Sequence, residues 1–158
     1  MIRPILHYPN PILKKKAKAV AKITPEIHRL VQDMLETMYD APGVGLAAPQ
    51  IGVSLRVVVM DVSETHDQPL IFINPRVTYF SKEKIDEQEG CLSIPGISGQ
   101  PIRSLRAKME GLDRNGKMYE LEGEGLLARA FQHEVDHLNG TLFIDRVEDK
   151  STIKELER

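Results

Sequence analysis

Cysteine is nearly missing from this chain: Cys91 is the only one among 158 residues. An intramolecular disulfide is therefore excluded, nothing argues for an oxidising compartment, and the thiol is free for other chemistry. Long apolar runs are also missing. No stretch approaches the roughly 20 residues that a membrane-crossing helix requires. The opening residues, MIRPILHYPNPILKKK, carry neither the apolar core and small-residue cleavage site of a secretory signal nor the Arg- and Ser-rich pattern of an organelle transit peptide. A cytoplasmic setting without membrane contact is the expectation. An excess of either charge is missing too: 21 Lys and Arg stand against 23 Asp and Glu, a formal net charge of -2, which gives no electrostatic case for nucleic acid. Lys14 to Lys16 form the only compact basic run, and they read as a solvated face.

What is present is ordinary for a globular protein: 41% hydrophobic and 28% charged residues, with no internal repeat and no low-complexity linker. The length suits one domain over residues 1–158. Between residues 25 and 39, Ile27, Leu30, Val31, Met34, Leu35 and Met38 recur at helical spacing, with Thr24 and Pro25 suited to the N-cap and first position. The run APGVGLAAPQIG then ends the helix near Asp40. RVVVMDV and LIFINP read as strands, and RAKMEGLD and KMYELE flank Asn115-Gly116, a hairpin turn signal. From Glu124 to Asn139 the pattern returns to helical, with Gly140 placed to cap it. Grouped strands bracketed by two helices indicate an α+β fold.

The second helix carries the chemistry. At about 100° per residue, Leu127, Phe131, Val135 and Leu138 share one side, while Leu126, Ala130, His133 and His137 share another. Both sides are largely apolar, so the helix should run through the interior, where its polar groups need partners. The run HEVDH supplies one. Histidines four apart project from one face and can bind the same metal ion, and Glu134 lies beside them without being needed as a ligand. A carboxylate there can take a proton from water that the metal activates and return it to a leaving group. The bland alternative is a chance match on a solvent-facing helix.

A catalytic site of this kind has three protein ligands and one open position. In the longer pattern HExxHxxGxxH the third histidine falls at Phe143 here, which excludes that class of peptidase. Glu148 lies beyond the helix in a polar stretch. Cys91, in EGCLSIPG at the end of a strand-like segment, is the better candidate, and coordination would hold it as a thiolate. A lone cysteine is otherwise most often a small buried hydrophobe. A thiol-hydrolase reading with Cys91 as nucleophile also exists, and metal removal separates the two. By ligand type alone, two imidazoles and a thiolate point to zinc. Leu126 and Ala130, with His133, are placed to line an apolar pocket. Arg129 sits one turn before His133 at its rim, able to pair with Glu87 or Glu89, and Asp136 can pair with Arg103. Gly43 and Gly45, flanking Val44, read as helix terminator and turn formers whose missing side chains also let an extended peptide pair with the backbone.

GVGLAAPQ at 43–50, EGCLS at 89–93 and HEVDH at 133–137 stand in the order and roughly at the spacings of three signature motifs, and the chain resembles the peptide deformylase family in its short bacterial-type form. ILHYPNPIL and HLNGTLFIDR extend the resemblance over nearly the whole chain. It implies small antiparallel sheets around a central buried helix that carries HExxH. It implies removal of the formyl group from the N-terminal formylmethionine of nascent polypeptides, releasing formate. The implied cofactor is one divalent metal ion, Fe2+, with Zn2+, Ni2+ or Co2+ able to occupy the same site. By the same resemblance Gln50 and the backbone amide of Leu92 polarise the formyl oxygen, and Glu89 lies beside the substrate. Transient ribosome contact belongs to members with a longer terminal helix, so the short VEDKSTIKELER leaves such contact in question.

Overall fold

The structure is a computed structural model that describes residues 1–155. Residues 156–158, the end of the segment on which the ribosome question turns, lie outside the described residues. In chain order the elements are α1 (Pro25–Asp40), β1 (Gly45–Ala47), β2 (Val57–Met60), β3 (Leu70–Phe80), β4 (Lys84–Ile85), β5 (Glu89–Cys91), β6 (Ile94–Gly99), β7 (Arg103–Ser104), β8 (Arg106–Leu112), β9 (Met118–Glu124), α2 (Leu126–Leu138) and β10 (Lys154–Glu155), with short 3-10 turns between them. An antiparallel sheet of five strands runs β1-β2-β3-β8-β9, beside a three-stranded sheet β10-β6-β5 and a two-stranded pair β4-β7. This is the α+β architecture that the sequence indicated.

The run Val57–Met60 explains how the layers stack. Its four residues are fully buried, because successive strand side chains point to opposite faces and both faces are covered. Val57 and Val59 join Leu30, Val31, Met34 and Met38 of α1 in one apolar cluster. Val58 and Met60 join Ala128, Ala130, Phe131 and Leu138 of α2 in another. The sheet is therefore held between the two helices.

The first helix forms as its sequence dictates: Thr24 Oγ1 accepts from the Ile27 N–H at 3.4 Å, Pro25 occupies the first turn, and the whole expected apolar stripe is buried. The β8–β9 hairpin has a longer turn than a two-residue Asn-Gly connection. Asp113 Oδ1 accepts from the Asn115 and Lys117 N–H groups, and Gly116 takes a positive φ of 81°. Aspartate at the turn start and glycine in the left-handed position give a three-residue loop with a bulge.

The second helix is shorter at its N-terminus than expected. Glu124 still pairs with Arg106 across the β8–β9 ladder, and Gly125 turns the chain at φ 62° before Leu126. Leu126 stays 47% exposed and does not join the interior. At the other end Gly140 has φ 76°, and a side chain there would collide with the Lys14 carbonyl. Only glycine meets both demands.

Candidate metal centre and active site

Helix α2 sets His133 and His137 one turn apart, and β5 delivers Cys91 across from them. His137 Nε2 lies 3.2 Å from His133 Nε2 and 3.2 Å from Cys91 Sγ. Sequence spacing places the two histidines together; only the fold brings in the thiol. Phe143, at the position of the third histidine in the longer peptidase motif, stacks instead on the His133 ring. Glu148 is exposed and takes no part in the cluster.

The three donor atoms fit a divalent ion. His133 Nδ1 is 2.9 Å from Glu89 Oε1. An ionised carboxylate only accepts, so Nδ1 carries the proton and Nε2 points its lone pair at the cluster, the orienting contact typical of metal-bound histidine. Burial would lower the affinity of His133 for a proton, yet its bonds to Cys91 and Glu89 hold its pKa well above the ordinary value. The surroundings therefore favour positive charge at this point, and a cation between the donors would supply it. Burial, with the charges of His133 and Arg103, drives the pKa of His137 well below its usual value, which keeps that imidazole neutral. Neutral imidazole is the ligand form.

Glu89 is itself held. Its carboxylate pairs with Arg103 at 3.1 Å and Arg129 at 3.3 Å. Burial pushes the Glu89 carboxyl up, but the His133 bond and the Arg103 charge outweigh it and bring it down to about 2. Arg103 also meets Asp136 at 2.7 Å, as expected from the sequence, and Asp136 binds Arg146 at 3.0 Å. Arg129 pairs with both candidate acids, Glu87 as well as Glu89. Its head is committed to these partners rather than standing free at the rim.

Glu134 is 3% exposed, and its Oε1 has no hydrogen-bond partner among the described residues. Burial pushes its carboxyl up to about 7, with the charges of His133 and Arg103 opposing. Gly45 makes the room: a Cβ there would lie 2.5 Å from Glu134 Oε2. Gln50 is fixed at both ends of its amide. Its Oε1 accepts from the Ala47 N–H at 2.9 Å, and its Nε2 donates to Ser93 Oγ at 3.0 Å and faces Cys91 Sγ at 3.6 Å.

These groups open onto one cavity of about 640 Å³. Gly43, Val44, Gly45, Gln50, Glu89, Cys91, Leu92, Leu126, Arg129, Ala130, His133 and Glu134 all line it. His137, the most deeply buried of the three donors, does not line it. Ile5 and His7 line the cavity from the N-terminal segment, and Pro95 and Gly96 from β6, none of them signalled by a motif in the sequence. The segment ILHYPNPIL is tied there by the Tyr8 N–H donating to the Ser93 carbonyl, a contact that sequence spacing does not reveal.

Known proteins match this chain over nearly its full length. The polypeptide deformylase family model matches residues 2–152. A peptide deformylase of Desulfitobacterium hafniense is 51% identical over 150 residues, covering 95% of this chain and 97% of that protein. One from Cellvibrio japonicus is 51% identical over 144 residues, covering 91% and 85%. The crystal structure of a peptide deformylase from Synechococcus elongatus in complex with actinonin matches with a TM-score of 0.91 at 40% identity, covering 95% of this chain and 83% of that one. The motifs, the two-helix sheet architecture and the matches over nearly the full length lead to one conclusion: this chain belongs to the peptide deformylase family.

Proposed function

We propose that Cys91, His133 and His137 hold one divalent metal ion and that Glu134 moves the proton when this enzyme removes the formyl group from the N-terminal formylmethionine of nascent polypeptides. The observation that carries the assignment is the convergence of Cys91 Sγ and the two Nε2 atoms beside a buried, unpartnered carboxylate. Fe2+ is the family's expected metal, with Zn2+, Ni2+ or Co2+ able to use the same donors. When bound, the metal lowers the pKa of water and polarises the formyl carbonyl.

The residues supply the rest. A carboxyl that titrates near pH 7 is suited both to take a proton from the attacking water and to return it to the departing amine. Gln50 Nε2, pinned by Ser93 and Ala47, and the Leu92 N–H stand as donors to the oxygen that becomes negative. One such preorganised donor is worth about 3 kcal/mol of barrier. Gly43, Val44 and Gly45 offer backbone to an extended peptide, and Leu126 and Ala130 offer apolar surface to the methionine side chain. Glu89 and Arg129 belong to the wall, where Glu89 orients His133. Residues 1–158 act as one catalytic domain in this reading, in the cytoplasm, where nascent chains arise. No helix among the described residues is long and apolar enough to cross a membrane.

The test is formate release from a short formyl-Met peptide by nickel-loaded protein, beside chelator-treated and Glu134→Ala samples. Formate that requires both metal and Glu134 is the expected result. Turnover by the chelated protein would move the chemistry to a Cys91 nucleophile.

A further inference from the structure

Helix α2 also lines a second cavity, through Gln132, Val135 and Asp136, about 230 Å³ in volume. Its walls mix apolar residues, Val77, Phe80, Ile102 and Val135, with a cationic set: Lys84, Arg103 and Arg146 against one acid, Asp136. Arg103 is neutralised by Glu89 and Asp136 together. The Asp136 carboxylate is in turn shared with Arg146. Lys84 is left over. Its Nζ donates to Ser104 Oγ at 3.1 Å, a neutral partner, and no carboxylate lies within ion-pair distance of it among the described residues. Arg146 spends Nε and Nη2 on Asp136, and its side chain is 52% exposed. The cavity thus holds an uncompensated positive charge and spare cationic donors beside apolar walls, with Lys84 and Arg146 both reaching solvent at its mouth.

We propose that this cavity binds a small oxyanion, held between Lys84 and Arg146. Its volume admits such an ion with part of its hydration, since one water takes roughly 30 Å³. The Ser104 hydroxyl faces Lys84, but it donates its own proton to the Ser81 carbonyl and so does not compete for the anion. The site stands apart from the catalytic cavity, because Lys84, Ser104 and Arg146 do not line that one. Carboxylate and phosphate share the chemistry required, and formate, the product of the family's reaction, is one source of the former.

The experiment is a calorimetric titration of the metal-loaded protein with sodium formate and, separately, with inorganic phosphate. Chloride keeps the ionic strength constant. Wild type is compared with Lys84→Met and Lys84→Arg. Loss of one charge-assisted contact should weaken binding about tenfold in Lys84→Met, while Lys84→Arg stays within about threefold. The arm that shows this pattern identifies the anion. An anion bound at the metal centre would bind Lys84→Met as tightly as wild type, and that result, like the absence of binding by either anion to wild type, overturns the proposal. Because Lys84 lies outside the catalytic cavity, formate release by Lys84→Met without added anion should match wild type, so failure of this site leaves the deformylase assignment untouched.

Discussion

The two helices cover opposite faces of the same β2 strand, yet they are built on different terms. Helix α1 buries a continuous apolar stripe, Ile27 to Met38, and a single charged side chain, Asp33, which meets Arg3 at 2.7 Å. Helix α2 buries Arg129, Gln132, Glu134, Asp136 and His137 along with its apolar residues. An apolar stripe stabilises through area removed from water, about 25 cal/mol per Å². Buried charges cost desolvation and stay only where partners return it. One helix is built for stability. The other tolerates strain between burial and charge because that strain sets the protonation states its chemistry uses.

Glu134→Gln tests the sharpest difference between them. It keeps the shape and removes the proton carrier, so kcat/KM for a formyl-Met peptide should fall by about 10²- to 10⁴-fold while metal content and Tm are retained. Near-normal turnover would put α2 in the same class as α1.

Arg103→Met leaves Glu89 and Asp136 buried without their shared cation. A loss of about 3 to 5 kcal/mol in urea unfolding is expected, together with weaker metal retention as His133 loses its fixed orientation. If stability fell while metal affinity held, the Glu89 contact would be structural only. Met34→Ala is the α1 counterpart. Cavity formation at this fully buried position should cost about 2 to 5 kcal/mol with kcat/KM unchanged. A substantial kinetic defect in that variant would mean that the helices are coupled through the sheet.

Acid stability gives the effect confined to the narrowest conditions. Glu89 ordinarily titrates near 4.5, and in the fold near 2. A depressed carboxyl contributes stability above its unfolded value and loses it as pH falls through the folded one, so this contribution fades between pH 4.5 and 2. Its size is on the order of a few kcal/mol. Glu89→Gln should flatten the decline of Tm in that window. Equal slopes in the two proteins would mean that Glu89 is not the group responsible.

The chain by itself determined the helix α1 stripe, the strand Val57–Met60, the turn before Gly116 and the His133–Glu134–His137 set. Each of these is a matter of spacing within one element, fixed by helical or strand geometry. It also supplied the Asp136–Arg103 pairing as a candidate, because an acid on a buried helix must find a cation. It overextended α2 at Glu124, since periodicity does not reveal that Gly125 breaks the chain direction first. Tertiary structure decided what depends on distant segments meeting. Cys91 reaches His137 across 46 residues of sequence, and Glu89 reaches His133 across 44. The lining from Ile5 and His7 arrives from the far end of the chain. The position of Glu134 near pH 7 was decided there as well. A glutamate in HEVDH looks the same whether exposed or enclosed, and the shift comes from burial beside Gly45, where the absence of one methyl group leaves the space the carboxylate fills.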